Sequence, residues 1–187
     1  AALANPNSRY LAFLNNDVIV ERGWLREIIG AMASNEMIGV AGGLLLEMDE
    51  TSKVQNCGAI CDRFCQTVEI GVGIDPSVIE SKVVEVGYVS GACLVTPNRV
   101  FQESGGFDGS FLMYCDDVDY CLKVRGRGYR CVVVTSSHVW HLGRGTSRQG
   151  SHARSYLNVR TAPTLGRAYR NQMRINARYQ PHCRGLI

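Results

Sequence analysis

Residues 105–121 read GGFDGSFLMYCDDVDYC, and this stretch decides how the rest of the chain is interpreted. It places three carboxylates, Asp116, Asp117 and Asp119, within four residues. Like charges this close repel one another, so such a cluster is favoured where a cation, or a proton shared with a substrate, relieves the repulsion. Acidic side chains also favour the first turn of a helix, where backbone N–H groups point outward. A solvated helix N-terminus is therefore the simpler interpretation, and the motifs elsewhere in the chain decide against it.

The acidic cluster has companion motifs in a defined order along the chain. Two motifs lie well upstream: Tyr10-Leu11-Ala12-Phe13-Leu14-Asn15-Asn16-Asp17 and Gly87-Tyr88-Val89-Ser90-Gly91-Ala92-Cys93. The acids are preceded by Gly105-Gly106-Phe107-Asp108 and Phe111-Leu112-Met113-Tyr114, and they are followed by Gly128-Tyr129-Arg130. The last motifs are Val132-Val133-Val134, His138-Val139-Trp140-His141-Leu142-Gly143 and Ser147-Arg148. In these motifs the chain resembles the family 2 glycosyltransferases, particularly their rhamnosyltransferase-like bacterial branch. That family has a strand ending in a metal-binding Asx-x-Asp, an acceptor-side strand, an acidic pair before a helix, and a closing strand with a histidine.

The chain departs from the family pattern in three places. Asp116 stands where the family usually has Glu, and Asn16 stands where it often has Pro. The family also begins with strands that hold the nucleotide base and ribose, and nothing before Tyr10 corresponds to them. We therefore expect residues 1–148 to be the C-terminal two-thirds of a GT-A catalytic domain that lacks its N-terminal strands, and residues 149–187 to be a basic helical C-terminal extension.

Strand and helix patterns alternate along the chain, which predicts an α/β domain with a mixed, mainly parallel sheet and flanking helices. Strands are predicted at 10–14, 38–46, 83–95 (as one strand or a pair) and 129–134, helices at 21–34, 97–103, 116–125 and within 150–180, and a hairpin with loops at 47–82. The Gly42-Gly43 pair inside a strand pattern predicts a bulge or a close backbone approach.

Length and composition favour one domain of 187 residues with enough apolar content, 45%, to form a core. All 17 acids lie in residues 1–119, whereas 13 of the 20 Lys and Arg residues lie in residues 120–187. A basic stretch beside an acidic half suits a phosphorylated ligand or an anionic membrane surface, and a solvated amphipathic helix is the simpler alternative. A nucleic-acid tail is disfavoured because few aromatic residues accompany the arginines.

Eight cysteines raise the question of disulfides or zinc. No Cys-x-x-Cys pair occurs, and the spacing of Cys57, Cys61 and Cys65, which on a helix would align three thiols, is not a usual zinc pattern. The cysteines between residues 93 and 131 lie in apolar patterns, where thiols behave as small hydrophobic groups. We expect reduced, buried thiols and a cytoplasmic protein, with a peripheral contact to the inner face of the membrane through the basic C-terminal segment as a further expectation.

Sugar transfer from a nucleotide donor requires the leaving diphosphate to be stabilised, and a divalent cation can neutralise its charge. Asp17 is the predicted ligand of Mg²⁺ or Mn²⁺, and Asn15 points to the same side because it lies two residues earlier on an extended chain. The resemblance implies that His141 lies close to the donor diphosphate and the metal, as a second metal ligand. Arg144 and Arg148 are predicted to bind phosphate oxygens from a loop that orders over the donor.

The acceptor hydroxyl must lose a proton as it attacks, and a nearby carboxylate can accept that proton. The resemblance assigns this role to Asp117. Asp116 either raises the pKa of Asp117 by repulsion, binds the acceptor, or serves as the base itself. The resemblance also implies that Gly91 and Ala92 lie on the acceptor side. Asp119 is predicted to be structural, paired with a lysine one turn later.

The leading hypothesis is an inverting glycosyltransferase that moves a sugar from a nucleotide-diphosphate donor to a glycan or lipid-linked acceptor of a bacterial surface. The alternative is a non-catalytic, transferase-like binding module, which the missing donor-side strands favour. An arginine-rich nucleic-acid or membrane adaptor leaves the acidic motifs unexplained, and we expect no nucleic-acid partner. A metal-dependent phosphatase or nuclease would require several metal-bridging ligands from separate strands, and the Gly-Gly-Phe-Asp and Gly-Tyr-Arg motifs argue against that class. Residues 1–187 alone are expected to bind nucleotide poorly and to be inactive in transfer.

Overall fold

A computed structural model describes residues 7–49, 51–62, 67–112, 114–142 and 162–179. The strands are β1 Tyr10–Leu14, β2 Val18–Val20, β3 Ile38–Glu47, β4 Val54–Asn56, β5 Ala59–Cys61, β6 Thr67–Glu69, β7 Val83–Val86, β8 Cys93–Pro97 and β9 Arg130–His141. The helices are α1 Trp24–Ser34, α2 Asn98–Ser104, α3 Asp116–Arg125 and α4 Ala162–Tyr179, with one turn of 3-10 helix at Pro76–Val78.

The molecule is built around a seven-stranded sheet in the order β1-β8-β3-β9-β2, with β4 beside β3 and β7 beside β9. The predicted mixed sheet is confirmed. Among the described strands, however, β3 and β9 form a parallel pair, whereas the other pairings in this sheet are antiparallel. The expectation of a mainly parallel sheet is therefore not met in this part of the chain. Strands that return beside a neighbour through short connections pair antiparallel, while a parallel neighbour needs a long crossover.

Strand β3 occupies the centre of the sheet and is buried along almost its whole length, as its continuous apolar sequence predicts. A side chain at Gly42 would lie 2.7 Å from the carbonyl oxygen of Cys93, and one at Gly43 would lie 2.7 Å from that of Ser137. The register with β9 also shifts immediately after Gly43. The predicted bulge and close approach at this glycine pair are both confirmed.

Strand β9 continues seven residues beyond the predicted end at Val134. Residues 135–137, which follow the predicted strand, form an irregularity in the pairing with β3, because Gly43 faces Val134 and Leu44 faces His138. Their hydroxyl groups each bond to a neighbouring group, so the polar stretch is accommodated without ending the strand. This continuation carries His141 to the end of β9.

Helices cover both faces of the sheet. On one face α1 buries Ile28 and Met32 against β3, β8 and β9. On the other face α2 and α3 pack over β3 and β9 around Tyr120, and Ile175 of α4 is fully buried in the same core. The division at residue 148 stays a prediction, but α4 is part of the domain packing rather than a solvated helix.

The other predicted elements are largely confirmed. Helix α3 begins and ends at the predicted residues, and β5 pairs with β6 as a hairpin. The segment 83–95 is two strands, β7 and β8, which pair with different neighbours. The predicted helix within 150–180 is confirmed as α4, and residues 150–161 lie outside the described part.

The cysteines follow the expectation of reduced thiols. Cys57, Cys93, Cys115, Cys121 and Cys131 are free thiols, and each of them except Cys115 is buried. Cys57 follows β4 and Cys61 ends β5, so these two thiols do not lie on a helix, in line with the hairpin and loops predicted for 47–82; Cys65 lies outside the described residues. No described helix is both long and apolar enough to cross a membrane.

Candidate active site

The structure brings together Asn15, Asp17 and His141, which we call the strand-end cluster. The Nε2 atom of His141 lies 3.3 Å from Oδ1 of Asp17 and 3.4 Å from Nδ2 of Asn15. Asn15 follows the end of β1. Backbone pairing places Val18 of β2 opposite His141, and the N–H of Leu142 donates to the carbonyl of Asp17 at 2.9 Å. Regular strand pairing therefore fixes the cluster.

A fourth residue, Gln55 of β4, contacts His141 from the side opposite Asp17. Its Oε1 atom lies 2.6 Å from His141 Nδ1, and its Nε2 atom donates to the His141 carbonyl at 3.2 Å and to Glu47 Oε2 at 3.1 Å. The sequence did not reveal this residue, because it lies in a short strand within the segment that was predicted only as a hairpin and loops. The Gln55 contacts hold the imidazole ring in one orientation.

The donor atoms of the strand-end cluster suit a divalent cation. Asp17 offers a carboxylate oxygen and His141 an imidazole nitrogen, at side-chain exposures of 28% and 16%. Among the described residues, no group of three or more His, Cys, Asp and Glu side chains is placed to hold a metal. Two protein ligands fit a cation that completes its shell with water and diphosphate oxygens, as Mg²⁺ and Mn²⁺ commonly do.

The second part of the site is the start of α3, where Asp117 is partly buried. Its Oδ2 atom accepts a hydrogen bond from the N–H of Gly91 at 2.9 Å, and its Oδ1 atom accepts one from Val118 at 2.8 Å. Burial raises the pKa of Asp117 to about 6, with repulsion by Asp116 adding to the rise, against the opposing effect of the Gly91 hydrogen bond. Asp117 is thus a carboxylate with the pKa of a general base for neutral pH.

Asp116 has a different environment at the first position of α3. It is partly exposed, and its carboxylate makes no hydrogen bond or ion pair with another described residue. Its charge acts on Asp117, as expected from the sequence. This arrangement favours Asp117 as the base and leaves Asp116 accessible to an acceptor.

Two consecutive residues connect the strand-end cluster with the start of α3. The N–H of Gly91 bonds to Asp117, and the carbonyl of Ala92 accepts a hydrogen bond from the N–H of Asn15 at 3.2 Å. A side chain at Gly91 would lie 3.5 Å from the Asp117 carboxylate, so this position borders the base. The Ala92 side chain is buried in the core, which leaves its backbone as the part that can serve the site.

The segment before α3 has an unusual backbone. Leu112, Tyr114 and Cys115 have φ values of 55°, 69° and 64°, a region that residues with side chains rarely adopt. Asn171 of α4 stabilises this conformation, because its Nδ2 atom donates to the carbonyls of Phe111 and Tyr114, each at 2.9 Å. Such strain persists only where the surrounding structure holds it.

Asp119 is structural, as predicted, and it is fully buried. The predicted pair with Lys123 is present at 2.7 Å. Arg178 and the hydroxyl of Tyr179 on α4 also approach Asp119 Oδ1 at 2.7 Å, and Arg178 forms a further ion pair with Asp108 at 3.0 Å. We call Asn171, Arg178 and Tyr179 the α4 clamp. Sequence reasoning missed it because these partners lie more than 50 positions from the groups they bind.

The remaining residues to place are His138, Arg144 and Arg148. His138 lies in β9 but pairs with Glu21 at 3.2 Å rather than joining the strand-end cluster. Arg144 and Arg148 lie outside the described residues, so their predicted contacts with phosphate stay predictions.

The chain has the GT-A fold of glycosyltransferases, as its similarity to known proteins shows. The structure resembles the crystal structure of GalNAc-T7 with UDP, GalNAc and Mn²⁺, with a TM-score of 0.58 at 17% identity over 87% of this chain and 31% of that one. The family described as "Glycosyltransferase like family" matches residues 1–160, and the chain belongs to it.

Curated relatives include two rhamnosyltransferases. The chain is 26% identical to rhamnosyltransferase WbbL of Escherichia coli K12 over 74% of this chain and 54% of the relative. It is 39% identical to N-acetylglucosaminyl-diphospho-decaprenol L-rhamnosyltransferase of Mycobacterium tuberculosis H37Rv over 56 residues, which are 30% of this chain and 18% of the relative. The chain therefore spans about half, or less, of the relatives that it matches.

Proposed function

We propose that this chain carries the metal-binding and acceptor-activating parts of an inverting glycosyltransferase, with a nucleotide-diphosphate sugar as donor and a glycan or lipid-linked acceptor. The observation that carries the proposal is the link through Gly91 and Ala92. It joins a carboxylate with a raised pKa to the Asp17 and His141 pair through two backbone hydrogen bonds. The rhamnosyltransferase relatives support sugar transfer, and one of them is named for a lipid-linked substrate.

Asp117 accepts the proton of the acceptor hydroxyl in this proposal. As the acceptor oxygen bonds to the anomeric carbon, the bond from that carbon to the diphosphate breaks and its electron pair leaves with the diphosphate. A single displacement of this kind inverts the anomeric centre. A pKa of about 6 leaves Asp117 mostly ionised at neutral pH, yet makes it a stronger base than an ordinary aspartate.

Asp17 and His141 would hold a divalent cation, with Asn15 bonded to the same imidazole. When bound, the cation neutralises charge on the leaving diphosphate. The fixed strand pairing keeps these side chains in place before the donor arrives, which lowers the cost of organising the site. Arg144 and Arg148 remain proposed phosphate contacts.

The basic C-terminal segment is a proposed contact for an anionic membrane that carries a lipid-linked acceptor. Arg170 and Arg174 of α4 are exposed and are not neutralised by any acid on that helix. Such side chains attract an anionic surface. A cytoplasmic location, at the inner face of the membrane, is part of this proposal.

The test is sugar transfer by the full-length protein with nucleotide sugars and a lipid-linked acceptor, with and without Mn²⁺. Inverted product that depends on Mn²⁺ and is lost in Asp117→Asn supports the proposal. Unchanged donor binding without any transfer, in the wild-type protein and with all acceptors, would favour the non-catalytic binding module.

A further inference from the structure

We propose that Gln55 fixes the tautomer of His141, with the proton on Nδ1, so that the bare Nε2 atom faces Asp17 and can bind a cation. Gln55 would thus be a positioning residue that acts through His141. The part of the inference that concerns cation binding rests on the proposed function. Its structural part rests on the hydrogen bonds of the protein itself.

The orientation of the Gln55 amide follows from its two acceptor neighbours. Its Nε2 atom lies 3.1 Å from a carboxylate oxygen of Glu47 and 3.2 Å from the carbonyl oxygen of His141. These two oxygens can only accept, so the amide NH₂ group must face them. A flipped amide would place its own oxygen against two acceptors.

The tautomer of His141 follows from the orientation of Gln55. With the NH₂ group facing Glu47, the Oε1 atom lies 2.6 Å from His141 Nδ1. An amide oxygen has no proton to donate, so Nδ1 must carry the hydrogen. In a neutral imidazole the other nitrogen is then an acceptor, since one ring nitrogen donates and the other accepts.

The surroundings of Nε2 agree with this assignment. Asn15 Nδ2, which is a donor, lies 3.4 Å from Nε2. Asp17 Oδ1, which is an acceptor, lies 3.3 Å from it. Two lone pairs therefore face each other between His141 and Asp17, and a cation between them would turn this repulsion into two bonds. Hydrogen bonds from the outer nitrogen commonly orient metal-binding histidines in this way.

The sheet supports the arrangement. Glu47 is paired with His141 between β3 and β9, and β4 lies along β3, with Leu45 opposite Asn56. Gln55 is therefore brought near both partners by the pairing of β4 with β3 and of β3 with β9, and it lies at the register shift of the β3–β4 pair. The Gln55 hydrogen bonds are partly buried, so water competes weakly with them.

The direct test is the ¹⁵N spectrum of the imidazole nitrogens in the histidine-labelled chain, at a pH where the ring is neutral. Comparison with His141→Asn identifies the His141 signals. We expect a protonated Nδ1 and a bare Nε2 in the wild-type protein, and a mixture of tautomers in Gln55→Leu. A wild-type protein with the proton on Nε2, or a Gln55→Leu variant with an unchanged pattern, overturns the inference.

The second test is Mn²⁺ binding by the full-length protein in the presence of UDP, followed by the loss of the free Mn²⁺ EPR signal. Gln55→Leu should weaken binding by about 10–100-fold, the usual effect of removing a group that orients a ligand. The double swap Glu47→Gln with Gln55→Glu should restore only part of the affinity, because a carboxylate at 55 accepts from Nδ1 and from an amide at 47 but leaves the His141 carbonyl without its donor. Gln102→Leu, which alters an exposed hydrogen bond on α2, serves as the matched control.

The outcomes separate this inference from the proposed function. Unchanged Mn²⁺ affinity in Gln55→Leu overturns the link between the tautomer and the cation. A wild-type protein that binds no Mn²⁺ with UDP contradicts the proposed cation site and that link, while the nitrogen spectrum still decides whether Gln55 sets the tautomer.

Discussion

The strand-end cluster and the start of α3 place carboxylates in the same site by opposite structural means. Asp17 lies in the short connection between β1, which pairs with β8, and β2, which pairs with β9. The residues beside Asp17 have ordinary backbone conformations. Asp117 follows three residues with positive φ values, which are held by Asn171 from a helix more than 50 residues away. The comparison teaches that strand pairing positions the strand-end cluster, whereas the conformation before Asp117 depends on a remote helix.

Within α3, two carboxylates have different surroundings. Asp119, on the same helix as Asp117, is fully buried and is surrounded by Lys123, Arg178 and Tyr179. Asp117 has backbone N–H donors but no such cation, and burial raises its pKa. One carboxylate of α3 is thus paired with cations, and the other has a raised pKa, which is the property expected of the proposed base.

The largest expected effect is on the reactive carboxylate. Asp117→Asn should lower the rate of sugar transfer by about 10²–10⁴-fold, since an amide cannot accept the acceptor proton. Steady-state turnover in the full-length protein measures this loss, with donor affinity expected to change little. In the wild-type protein, kcat/KM should fall as the pH decreases below about 6, because Asp117 becomes protonated.

Asp116→Asn is the matched variant for that measurement. It should retain more activity, and its acid limb should move to lower pH because one source of repulsion on Asp117 is removed. A nearly active Asp117→Asn beside an inactive Asp116→Asn would transfer the role of base to Asp116.

The strand-end cluster is tested through the cation. Asp17→Ala should lower Mn²⁺-dependent binding of a nucleoside diphosphate by about 100-fold or more, and His141→Ala should lower it less. The loss of a direct ligand should exceed the 10–100-fold effect of groups that only orient ligands. Calorimetric titration with and without Mn²⁺ measures the difference. Asp49→Ala, which removes an exposed turn carboxylate bound to Thr51, should leave the titration unchanged.

The α4 clamp is tested through stability. Arg178→Met should reduce the free energy of unfolding by about 1.5–3 kcal/mol, because hydrogen bonds to charged groups contribute roughly this much. The loss arises mainly at Asp119, since Arg178 is itself 42% exposed and its pair with Asp108 is solvated. Denaturant unfolding of both proteins, with exposed Arg170→Met as the control, gives the comparison. Equal midpoints for Arg178→Met and the wild-type protein would show that Arg178 does not stabilise the fold through Asp119.

The sequence predicted the two regions unequally. The Asn15 and Asp17 spacing on an extended chain placed both side chains together, and the acidic start of α3 marked its first turn, because these signals are local. The α4 clamp and Gln55 were not predicted, since their partners are distant in sequence and neither residue stands in a recognisable pattern. The prediction of a mainly parallel sheet was wrong for the described strands, because alternating elements indicate an α/β fold but do not fix the direction of each neighbouring strand.

The smallest expected effect concerns how stability depends on pH. The pKa of Asp117 is about 6 in the folded protein and close to 3.8 in an unfolded chain, so the folded state binds more protons between these values. The contribution of Asp117 to stability is therefore complete below about pH 3.8 and is lost as the pH rises through about 6. The difference corresponds to at most about 3 kcal/mol, and to about 1–2 kcal/mol with solvent screening of this partly exposed residue.

Asp117→Asn should abolish that part of the pH dependence. The substitution also loses one hydrogen bond, because Gly91 and Val118 donate to different carboxylate oxygens and the amide NH₂ replaces one of these acceptors, and this cost is the same at every pH. The informative quantity is thus the slope of unfolding free energy between pH 4 and 7, relative to the wild-type protein. Asp49→Asn is the control, since the pKa of Asp49 is lowered by its Thr51 hydrogen bonds and its effect falls at more acidic pH. Parallel curves for the wild-type protein and Asp117→Asn in this window would show that the Asp117 carboxylate is solvated in the folded protein.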